Sequence, residues 1–476
     1  MSWKPDISIP IDEYKIDSLD VITATATESR FNLIPYFTSL ELSESLDSAF
    51  LTGSLEFSVL KGEMQSRGID FTMQDFLLIG VSSIESLSTE NAETSLTEPR
   101  LIGGLFYITR ISKREVTDPK IDSYTISFAS TEVLNEYTKK ISKSYKNKTR
   151  TEIIKSISEE FLMKDSFQKD EVLIGEFEPT KDSFQCVIPR WSPVRSISWV
   201  NSGSVSAENN DSKSFHFFQS FDEDLRRRIN YRSLRTMFKN DPSIGVKDDL
   251  LTGYGLIPYD INTNELAKRT LARRVPLRCV IRNVSGLDKI SQGVFSSKLM
   301  SHDIVRKKFT EHKFEYDNKT VSNDRINEGL MVEDNKAQKN FADLFLKTGE
   351  AFIKLDHDHK NLFRKSETNL GVNKTETWFQ DRLSQMNVKD YLTMEMTLYG
   401  DTSRNVGETV MFTSGGAYDK EKSDIILDSD GQDLGGKYLI TKVVHRFAIS
   451  DNNGADAAKS TTTFTMVKDG FGRRSG

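Results

Sequence analysis

Two short stretches of this sequence follow one pattern, and they decide the fold that it predicts. The first is Gly104-Leu105-Phe106-Tyr107-Ile108-Thr109-Arg110-Ile111, and the second is Gly436-Lys437-Tyr438-Leu439-Ile440-Thr441-Lys442-Val443. Each has a glycine, an aromatic residue two positions later, an apolar residue, Ile-Thr, a base and a β-branched residue. Aromatic and β-branched residues at this density are typical of β-strands. We therefore predict that the two stretches form the same strand in two copies of one β domain.

The match extends outward from both stretches. Upstream, Leu77–Ser83 resembles Thr409–Ser414, and 27 residues separate the first residue of each from the glycine of its pattern. Downstream, Ser123–Ala129 resembles Ser460–Met466 after a turn of different length. The agreement predicts an internal duplication over about residues 31–130 and 377–470; the alternative is that two β-hairpins share a pattern by chance. Two copies per chain would let a trimer present six similar domains around an axis.

Length and composition restrict the class of protein. A chain of 476 residues is long for a single core and predicts about three domains. With 37% hydrophobic residues and 27 glycines it is globular rather than disordered, and its net charge of −6 gives no bulk attraction to nucleic acid or to an anionic membrane. Two cysteines, Cys186 and Cys279, exclude a disulfide framework. The first residues lack an apolar signal core, and Phe76–Ile84 is too short to cross a bilayer, so we expect a soluble protein made inside the cell, with no membrane insertion.

Changes in sequence pattern divide the chain into four segments and predict a β-rich α+β fold. Residues 1–130 and 377–476 alternate apolar and polar residues, as half-buried strands do, with a helix before the second β region. Residues 131–275 are predicted as a helical and mixed α+β domain, and residues 276–376 as a mixed domain whose topology stays open. We predict antiparallel β-barrels or sandwiches in the two end segments and mixed α/β domains between them.

Helical periodicity begins after the first β region. Ser130 and Thr131 offer an N-cap, and apolar residues then recur at helical spacing as far as Ile141. A second helix fits Thr151–Met163. The basic run between them, Lys139–Arg150, is predicted as a solvated connection, with contact to DNA as the alternative. Further predicted elements are a helix that starts with Pro193, strands at Ser214–Phe218 and Val275–Ile281, helices near Ala337–Leu346 and over Trp378–Met386, and long polar loops at Ser82–Arg100 and Tyr418–Gly436.

Three local patterns resemble ligand sites, and each lacks part of the required set. Gly431–Lys437 has the glycines and the lysine of a phosphate-binding loop, but Tyr438 stands where that loop needs Ser or Thr. Asp428–Gly431 begins like a calcium loop, but Leu439 occupies the closing position, which needs an acid. Asp356–His359 would place two histidines on one face of a strand, as a metal site requires, although a solvated loop or edge strand is the favoured interpretation.

The remaining sequence contains no catalytic constellation. The metalloprotease, nucleophile-elbow and dinucleotide-binding patterns do not occur, and neither cysteine has a histidine close to it in sequence. Glutamates are plentiful, which leaves a glycosidase pair open, but no context singles one out. The basic patch Arg226–Arg235 is interpreted as an exposed helix face or an interchain ion-pair edge, with contact to nucleic acid or an acidic partner as the alternative. We predict no catalytic, cofactor-binding or metal-binding residues, and a protein that is not an enzyme.

Several stretches, taken in their order along the chain, resemble one protein family. Pro189-Arg190-Trp191-Ser192 precedes a predicted helix, and the aromatic strand Phe215–Phe218 follows it. Near the end of the chain come Gly407–Phe412, then Tyr438–His445, then a Thr-rich strand. The N-terminal pattern Phe37–Phe57 fits the same order. With these stretches and the repeated β region, the sequence resembles the baseplate hub proteins of contractile-tailed, T4-like bacteriophages over most of its length.

This resemblance implies a structural role in a symmetric assembly. Each chain of such a hub has two tail-tube-like β domains, so that a homotrimer forms a pseudo-hexameric ring. The ring joins the sixfold tail tube, or a tube-adaptor protein, to a trimeric cell-puncturing spike, contacts baseplate wedge proteins, and lets DNA pass without specific binding. The resemblance also implies a virion protein of the tail baseplate that is made in the host cytoplasm. A bore that passes DNA must not retain it, so we predict that the basic runs Lys139–Arg150 and Arg226–Arg235 lie away from the bore.

Two other functions remain as alternatives. A tail-associated peptidoglycan hydrolase is one, because tail tips often carry such an activity, and the lack of a catalytic constellation is the observation against it. The hub of another contractile injection system is the other. Hubs of that kind are usually fused to their spike, whereas this chain has no needle-type repeats, so a separate spike chain is expected.

Overall fold

One large, mostly antiparallel sheet dominates the protein, whose structure is a computed structural model. It describes residues 13–23, 30–66, 71, 74–83, 101–118, 120–164, 172–181, 183–208, 212–222, 225–239, 254–255, 276–283, 286–303, 307–315, 353–358, 375–413, 436–449 and 459–469. The large sheet has 13 strands, and a two-stranded and two three-stranded sheets accompany it within these residues. The β-rich α+β class predicted from the sequence is confirmed.

The N-terminal part of the chain contributes seven strands to the large sheet. They are β1 (Tyr14–Ile22), β2 (Arg30–Asn32), β3 (Phe37–Ser45), β4 (Thr52–Leu60), β5 (Phe76–Ser83), β6 (Ile102–Asp118) and β7 (Ile121–Ser130), with the short helix α1 (Glu63–Ser66) after β4. Along β4 and β7, buried apolar residues alternate with less buried polar ones, as expected for strands that face a core on one side. We call β3–β7 the N-terminal β unit; its strands lie in the antiparallel order β3-β4-β7-β6-β5.

Helices and two small sheets make up the middle of the chain. In order they are α2 (Glu132–Thr138), β8 (Ile141–Thr149), α3 (Arg150–Ile157), β9 (Val172–Phe177), β10 (Ser183–Trp191), α4 (Pro193–Asn201), β11 (Phe215–Phe221), β12 (Arg227–Ser233), α5 (Leu234–Lys239) and β13 (Tyr254–Gly255). A capping box starts α3, since the Thr149 side chain accepts from the Glu152 backbone and the Glu152 carboxylate accepts from the Thr149 backbone. The proline at the first position of α4 confirms the helix start expected at Pro193.

The last part of the chain completes the large sheet. Its elements are β14 (Arg278–Asn283), α6 (Gly286–Ser291), β15 (Ser296–Asp303), β16 (Lys308–Glu315), β17 (Ile353–Asp358), α7 (Thr375–Val388), β18 (Leu392–Tyr399), β19 (Thr409–Thr413), β20 (Gly436–Ala448) and β21 (Ser460–Lys468). We call β14 with β18–β21 the C-terminal β unit. Its strands lie in the antiparallel order β14-β18-β21-β20-β19. Taken in chain order, the five strands of each unit therefore occupy the same places in the sheet.

The basic run Lys139–Arg150 is a strand rather than a solvated connection. Most of it forms β8, which pairs antiparallel with β10. Ile141, expected at the end of a helix, is the first residue of that strand, and α2 already ends at Thr138. The reason is packing, because Ile141 and Tyr145 of β8 are buried and belong to the apolar core of the middle region.

Two further details of the sequence analysis differ from the structure. The segment 276–376 was expected to be separate from the C-terminal β region, whereas its first strand, β14, pairs with β18. The upstream match is shifted by one residue, because Leu77 lies opposite Phe106 while Val410, and not Thr409, lies opposite Tyr438. The predicted helix near Ala337–Leu346, the loop Tyr418–Gly436 up to residue 435 and most of Ser82–Arg100 lie outside the described residues.

Candidate assembly surfaces

The two β units join edge to edge within one chain. The strand β20 pairs antiparallel with β3 over seven residue pairs, from Lys442 opposite Ser45 to Ala448 opposite Ser39. We call this ladder the seam. Its inward-facing pair Phe447 and Leu40 is fully buried. On its outer face, Arg446 and Glu41 lie opposite each other with opposite charges, an arrangement that favours this register.

The matching stretches of the two units have the same local backbone. Against its neighbouring strand, β6 has a bulge between Ile108 and Arg110, and β20 has one between Ile440 and Lys442. At the bulge, Thr109 Oγ1 donates to the Ser127 carbonyl at 2.9 Å. Thr441 Oγ1 donates to the Thr465 carbonyl at 3.0 Å. The Thr of the shared Ile-Thr pair therefore makes the same hydrogen bond in both units.

The glycine of the shared pattern is required by its backbone. Gly104 has φ +131° and Gly436 has φ +114°, values that residues with a side chain rarely adopt. At Gly104 there is also no room, since a Cβ atom would lie 2.9 Å from the Leu225 carbonyl oxygen and 3.1 Å from Arg227 Nη1. The glycine thus allows the arginine of the middle region to reach the N-terminal β unit.

A buried ion pair connects that unit to the middle region. Arg227, at the start of β12, donates through Nη2 to Glu132 Oε1 at 3.0 Å and to Thr131 Oγ1 at 3.2 Å, and through Nη1 to the Leu105 carbonyl. Both charged side chains are essentially inaccessible, at 1% and 0% exposure. Since removal of either charge would leave the other buried, the pair fixes the position of β12 against β6 and α2.

Gln219 completes the arrangement around Glu132. Its Nε2 donates to Glu132 Oε2 at 3.0 Å, and its Oε1 accepts from Ser130 Oγ and from the Leu51 backbone. Burial alone raises the pKa of the Glu132 carboxyl, but the Arg227 charge and the Gln219 hydrogen bond outweigh it and hold that pKa below its ordinary value. Glu132 is therefore an ionised, structural carboxylate.

A buried histidine lies where β11 meets the turn after β3. His216 is 4% exposed, and its Nδ1 is 3.7 Å from Asp47 Oδ1, which Lys389 also approaches at 3.3 Å. Burial, with the positive charges of Lys389 and Arg382, lowers the pKa of the His216 imidazole well below its ordinary value. The imidazole is therefore neutral at physiological pH.

The structure changes the interpretation of the basic patch Arg226–Arg235. Most of it is the strand β12 and not an exposed helix face. Arg227 and Arg235 are buried, while Arg228 is half exposed and pairs with Asp222 at 2.9 Å. The difference between Arg227 and Arg228 follows from strand geometry, because successive side chains of β12 point to opposite faces of the sheet, whereas Arg235 lies in α5. The sequence pattern missed the Arg227–Glu132 pair because the two residues are far apart in the chain.

The metal-site candidate Asp356–His359 and the two cysteines do not form a chemical centre in the part of the chain that the structure describes. Asp356, His357 and Asp358 belong to the edge strand β17, as the favoured interpretation expected, and His359 lies outside the described residues. No group of three or more His, Cys, Asp or Glu residues among those described could hold a metal ion. Both cysteines are free thiols, and burial raises the pKa of the Cys186 thiol to about 11. Among the described helices, none has the length and apolar composition needed to cross a membrane.

Comparison with known proteins gives matches at the level of fold. A tail protein from Neisseria meningitidis MC58 is similar to this chain with a TM-score of 0.50 and 7% identity, over 96% of this chain and 97% of that one. The 43 kDa tail protein of prophage MuSo2 from Shewanella oneidensis matches with a TM-score of 0.48 and 10% identity, over 96% and 99%. No protein-family model matches the sequence, and no curated protein matches it.

The first of these matches shows the class of the fold. The chain has the fold of that tail protein. The resemblance to baseplate hub proteins that the sequence motifs indicated is confirmed.

Proposed function

We propose that this chain is a structural baseplate hub of a contractile phage tail and that it acts as a homotrimer. The two β units are, in this proposal, copies of one tail-tube-like domain, and three chains form a pseudo-hexameric ring. The ring joins the sixfold tail tube, or an adaptor protein on it, to a threefold spike, and contacts the wedge proteins of the baseplate. DNA passes through the ring without specific binding, and the protein resides in the virion.

One observation supports this proposal above all others. The five strands of each unit lie in the same order, and the two units join through the edges of β20 and β3. A contact that joins different edges of two equivalent units is heterologous, and it leaves one edge of each unit available for the next contact. Repeated heterologous contacts close into a ring when the rotation between neighbouring units is a whole fraction of a full turn. Six units in three chains are the smallest count that matches a sixfold tube and a threefold spike together.

The role that we propose is not enzymatic. The buried charged pair Arg227 and Glu132 is held by several hydrogen bonds, which suits a structural pair rather than a reactive one. The division into segments 1–130, 131–275, 276–376 and 377–476 is retained as a proposed domain plan, with β14 as a strand that the third segment gives to the fourth.

The mass of the purified protein in solution tests the proposal. We expect light scattering coupled to size exclusion to give three times the mass of one chain, and electron micrographs of the particles to show rings. A monomer at every accessible concentration would contradict the trimer. A hydrolytic activity on labelled cell-wall material that a single carboxylate substitution abolishes would instead support the enzymatic alternative.

A further inference from the structure

One surface of the middle region carries positive charge with no acid in the segments that form it. It consists of β8, β10 and α4, and we call it the basic surface. Between Ser183 and Ala207 the only charged residues are Arg190 and Arg195. The nine residues of β8 include three lysines and no acid. Since the whole chain has a net charge of −6, the sign of this surface is opposite to that of the molecule.

Most bases of the basic surface are not neutralised by a described acid. Lys143 is the exception, because its Nζ lies 2.5 Å from the Glu160 carboxylate. The other four bases are exposed and are in no ion pair with a described residue: Lys146, Lys148, Arg190 and Arg195. Elsewhere in the middle region an exposed base such as Arg228 does meet an acid, Asp222 at 2.9 Å. The positive charge of the basic surface is therefore available to an acidic partner.

A group of aromatic rings lies between these bases. The Trp199 ring meets the Trp191 ring edge to face at 5.4 Å between centroids, and the Phe184 ring at 5.8 Å. Trp199 is 37% exposed, whereas the opposite side of α4 is buried. Lys148 lies opposite Phe184 in the ladder of β8 with β10, and the Arg195 guanidinium lies over the Trp191 ring at 4.8 Å. The rings thus have bases beside them on two sides.

This composition is that of a protein–protein contact. Tryptophan and arginine are enriched among the residues that contribute most to binding, because a large ring excludes water and a guanidinium offers several donors. Such residues are typically surrounded by a polar rim that stays accessible to solvent. In the basic surface Trp199 has the central position, and the exposed bases have the position of the rim.

We propose that the basic surface binds an acidic segment of another polypeptide. Carboxylates of that segment pair with the exposed bases, and its apolar side chains contact Trp199. Charge complementarity identifies this partner, since opposite potentials across an interface steer the encounter and exclude partners of the wrong sign. The inference goes beyond the proposed function, because it holds for any number of chains in the assembly.

The geometry of the rings favours a polypeptide over a nucleic acid. Single strands bind to aromatic rings whose faces are open to successive bases. Here the Arg195 guanidinium covers the Trp191 ring, and the rings of Trp191 and Trp199 stand at 82° to each other. A long polyanion would also extend beyond the basic surface onto a chain of net negative charge, whereas a short acidic segment can end within it.

Fluorescence anisotropy of labelled probes with the purified full chain tests the proposal. The main probe is a nine-residue peptide of alternating glutamate and leucine, which has the length of β10. The comparison probes are the same peptide with lysine in place of glutamate, an oligothymidylate of equal length, and a peptide of residues 418–435 of this chain, an acidic stretch. We expect saturable binding of the glutamate peptide that weakens as salt is added, and no binding of the lysine peptide.

Two variants and a matched control locate the binding. Trp199→Ser and Lys148→Glu/Arg195→Glu should each weaken binding of the glutamate peptide by about tenfold or more. The control Lys61→Glu/Lys120→Glu makes the same change in net charge at two exposed lysines of the N-terminal β unit, and it should leave the Kd within about twofold. Should Trp199→Ser fail to fold, the charge-reversal variant decides, because both of its side chains are exposed.

The outcomes separate this inference from the proposed function. No binding of the glutamate peptide, or equal weakening by the control, would overturn the inference and leave a trimer intact. Tighter binding of the oligothymidylate would assign the surface to nucleic acid, and tighter binding of the 418–435 peptide would assign it to the chain itself; either result contradicts a separate acidic partner. A monomer that binds the glutamate peptide at the basic surface would support the inference while it contradicts the trimer.

Discussion

Replacing Arg227 with methionine should destabilise the protein strongly and in a way that identifies the cause. The side chain makes three hydrogen bonds, to the Leu105 carbonyl, to Thr131 and to Glu132, and it is 1% exposed. Methionine fills much of the same space but leaves the fully buried Glu132 carboxylate without its countercharge. Breaking a buried pair in this way costs about 3–5 kcal/mol, and we expect about 4 kcal/mol of the free energy of unfolding to be lost.

The neighbouring residue provides a matched control. Arg228 also pairs with an acid, Asp222 at 2.9 Å, but its side chain is 51% exposed. Exposed pairs contribute about 0.2–1 kcal/mol, so Arg228→Met should change the free energy of unfolding by less than about 1 kcal/mol. Urea unfolding followed by circular dichroism measures both variants under one set of conditions.

The pH dependence and a double variant assign the effect to the carboxylate. Without Arg227, burial raises the pKa of Glu132, so the group becomes neutral as the pH falls and the difference from the unchanged protein should shrink between pH 7 and pH 5. The double variant Arg227→Met/Glu132→Gln removes the isolated charge and should recover part of the loss. If Arg227→Met costs no more than Arg228→Met, the pair is not the connection that we describe.

Three further predictions concern other buried groups. The folded-state pKa of His216 lies well below the ordinary value of 6.5 that applies to the unfolded chain, so the unfolded state binds more protons below that pH. Between pH 6.5 and pH 5.5 this group should remove about 1 kcal/mol of stability, and His216→Gln should flatten that part of the pH profile in urea unfolding. Gly103→Ala should destabilise the protein by about 2 kcal/mol or more, because φ is +139° and a Cβ atom would lie 2.1 Å from the Ile79 carbonyl oxygen. Gly62→Ala is the control and should cost less, since Gly62 has φ +84° but no atom within 4 Å of the added Cβ. Thermal unfolding measures both variants, and an equal fall in Tm would contradict this account. With its pKa raised to about 11, the buried Cys186 thiol should react with an aromatic disulfide reagent at pH 8 far more slowly than in urea; equal rates would show that it is accessible.

Patterns that are local in sequence predicted the strands well. The alternation of apolar and polar residues within residues 1–130 and the shared Gly-to-β-branched pattern each identified strands, because side-chain period and β-propensity act over a few residues. The proline at the start of α4 fixed a helix start for the same reason. The local pattern gave a wrong prediction at Lys139–Arg150. The five lysines of this run suggest a solvated connection, whereas most of it is the strand β8, in which only two large residues, Ile141 and Tyr145, are buried.

Long-range pairing was the part that sequence could not supply. The seam joins residues about 400 positions apart, and nothing in Phe37–Ser45 or in Gly436–Ala448 specifies the other as its neighbour. The same holds for Arg227 and Glu132, since a charged residue in a strand or a helix is usually solvated, and its burial depends on what packs over it. The repeated pattern predicted two similar units, and the structure added how one chain joins them.

The direction of the seam has a mechanical consequence. Hydrogen bonds between antiparallel strands lie perpendicular to the strands, so a load along β20 and β3 is shared among all seven residue pairs at once, whereas a load across them opens the pairs one after another from an end. A ladder of this kind resists sliding far better than peeling. The two β units of one chain are therefore joined most firmly against displacement along their strands, the direction in which they would have to slip for their edges to lose register.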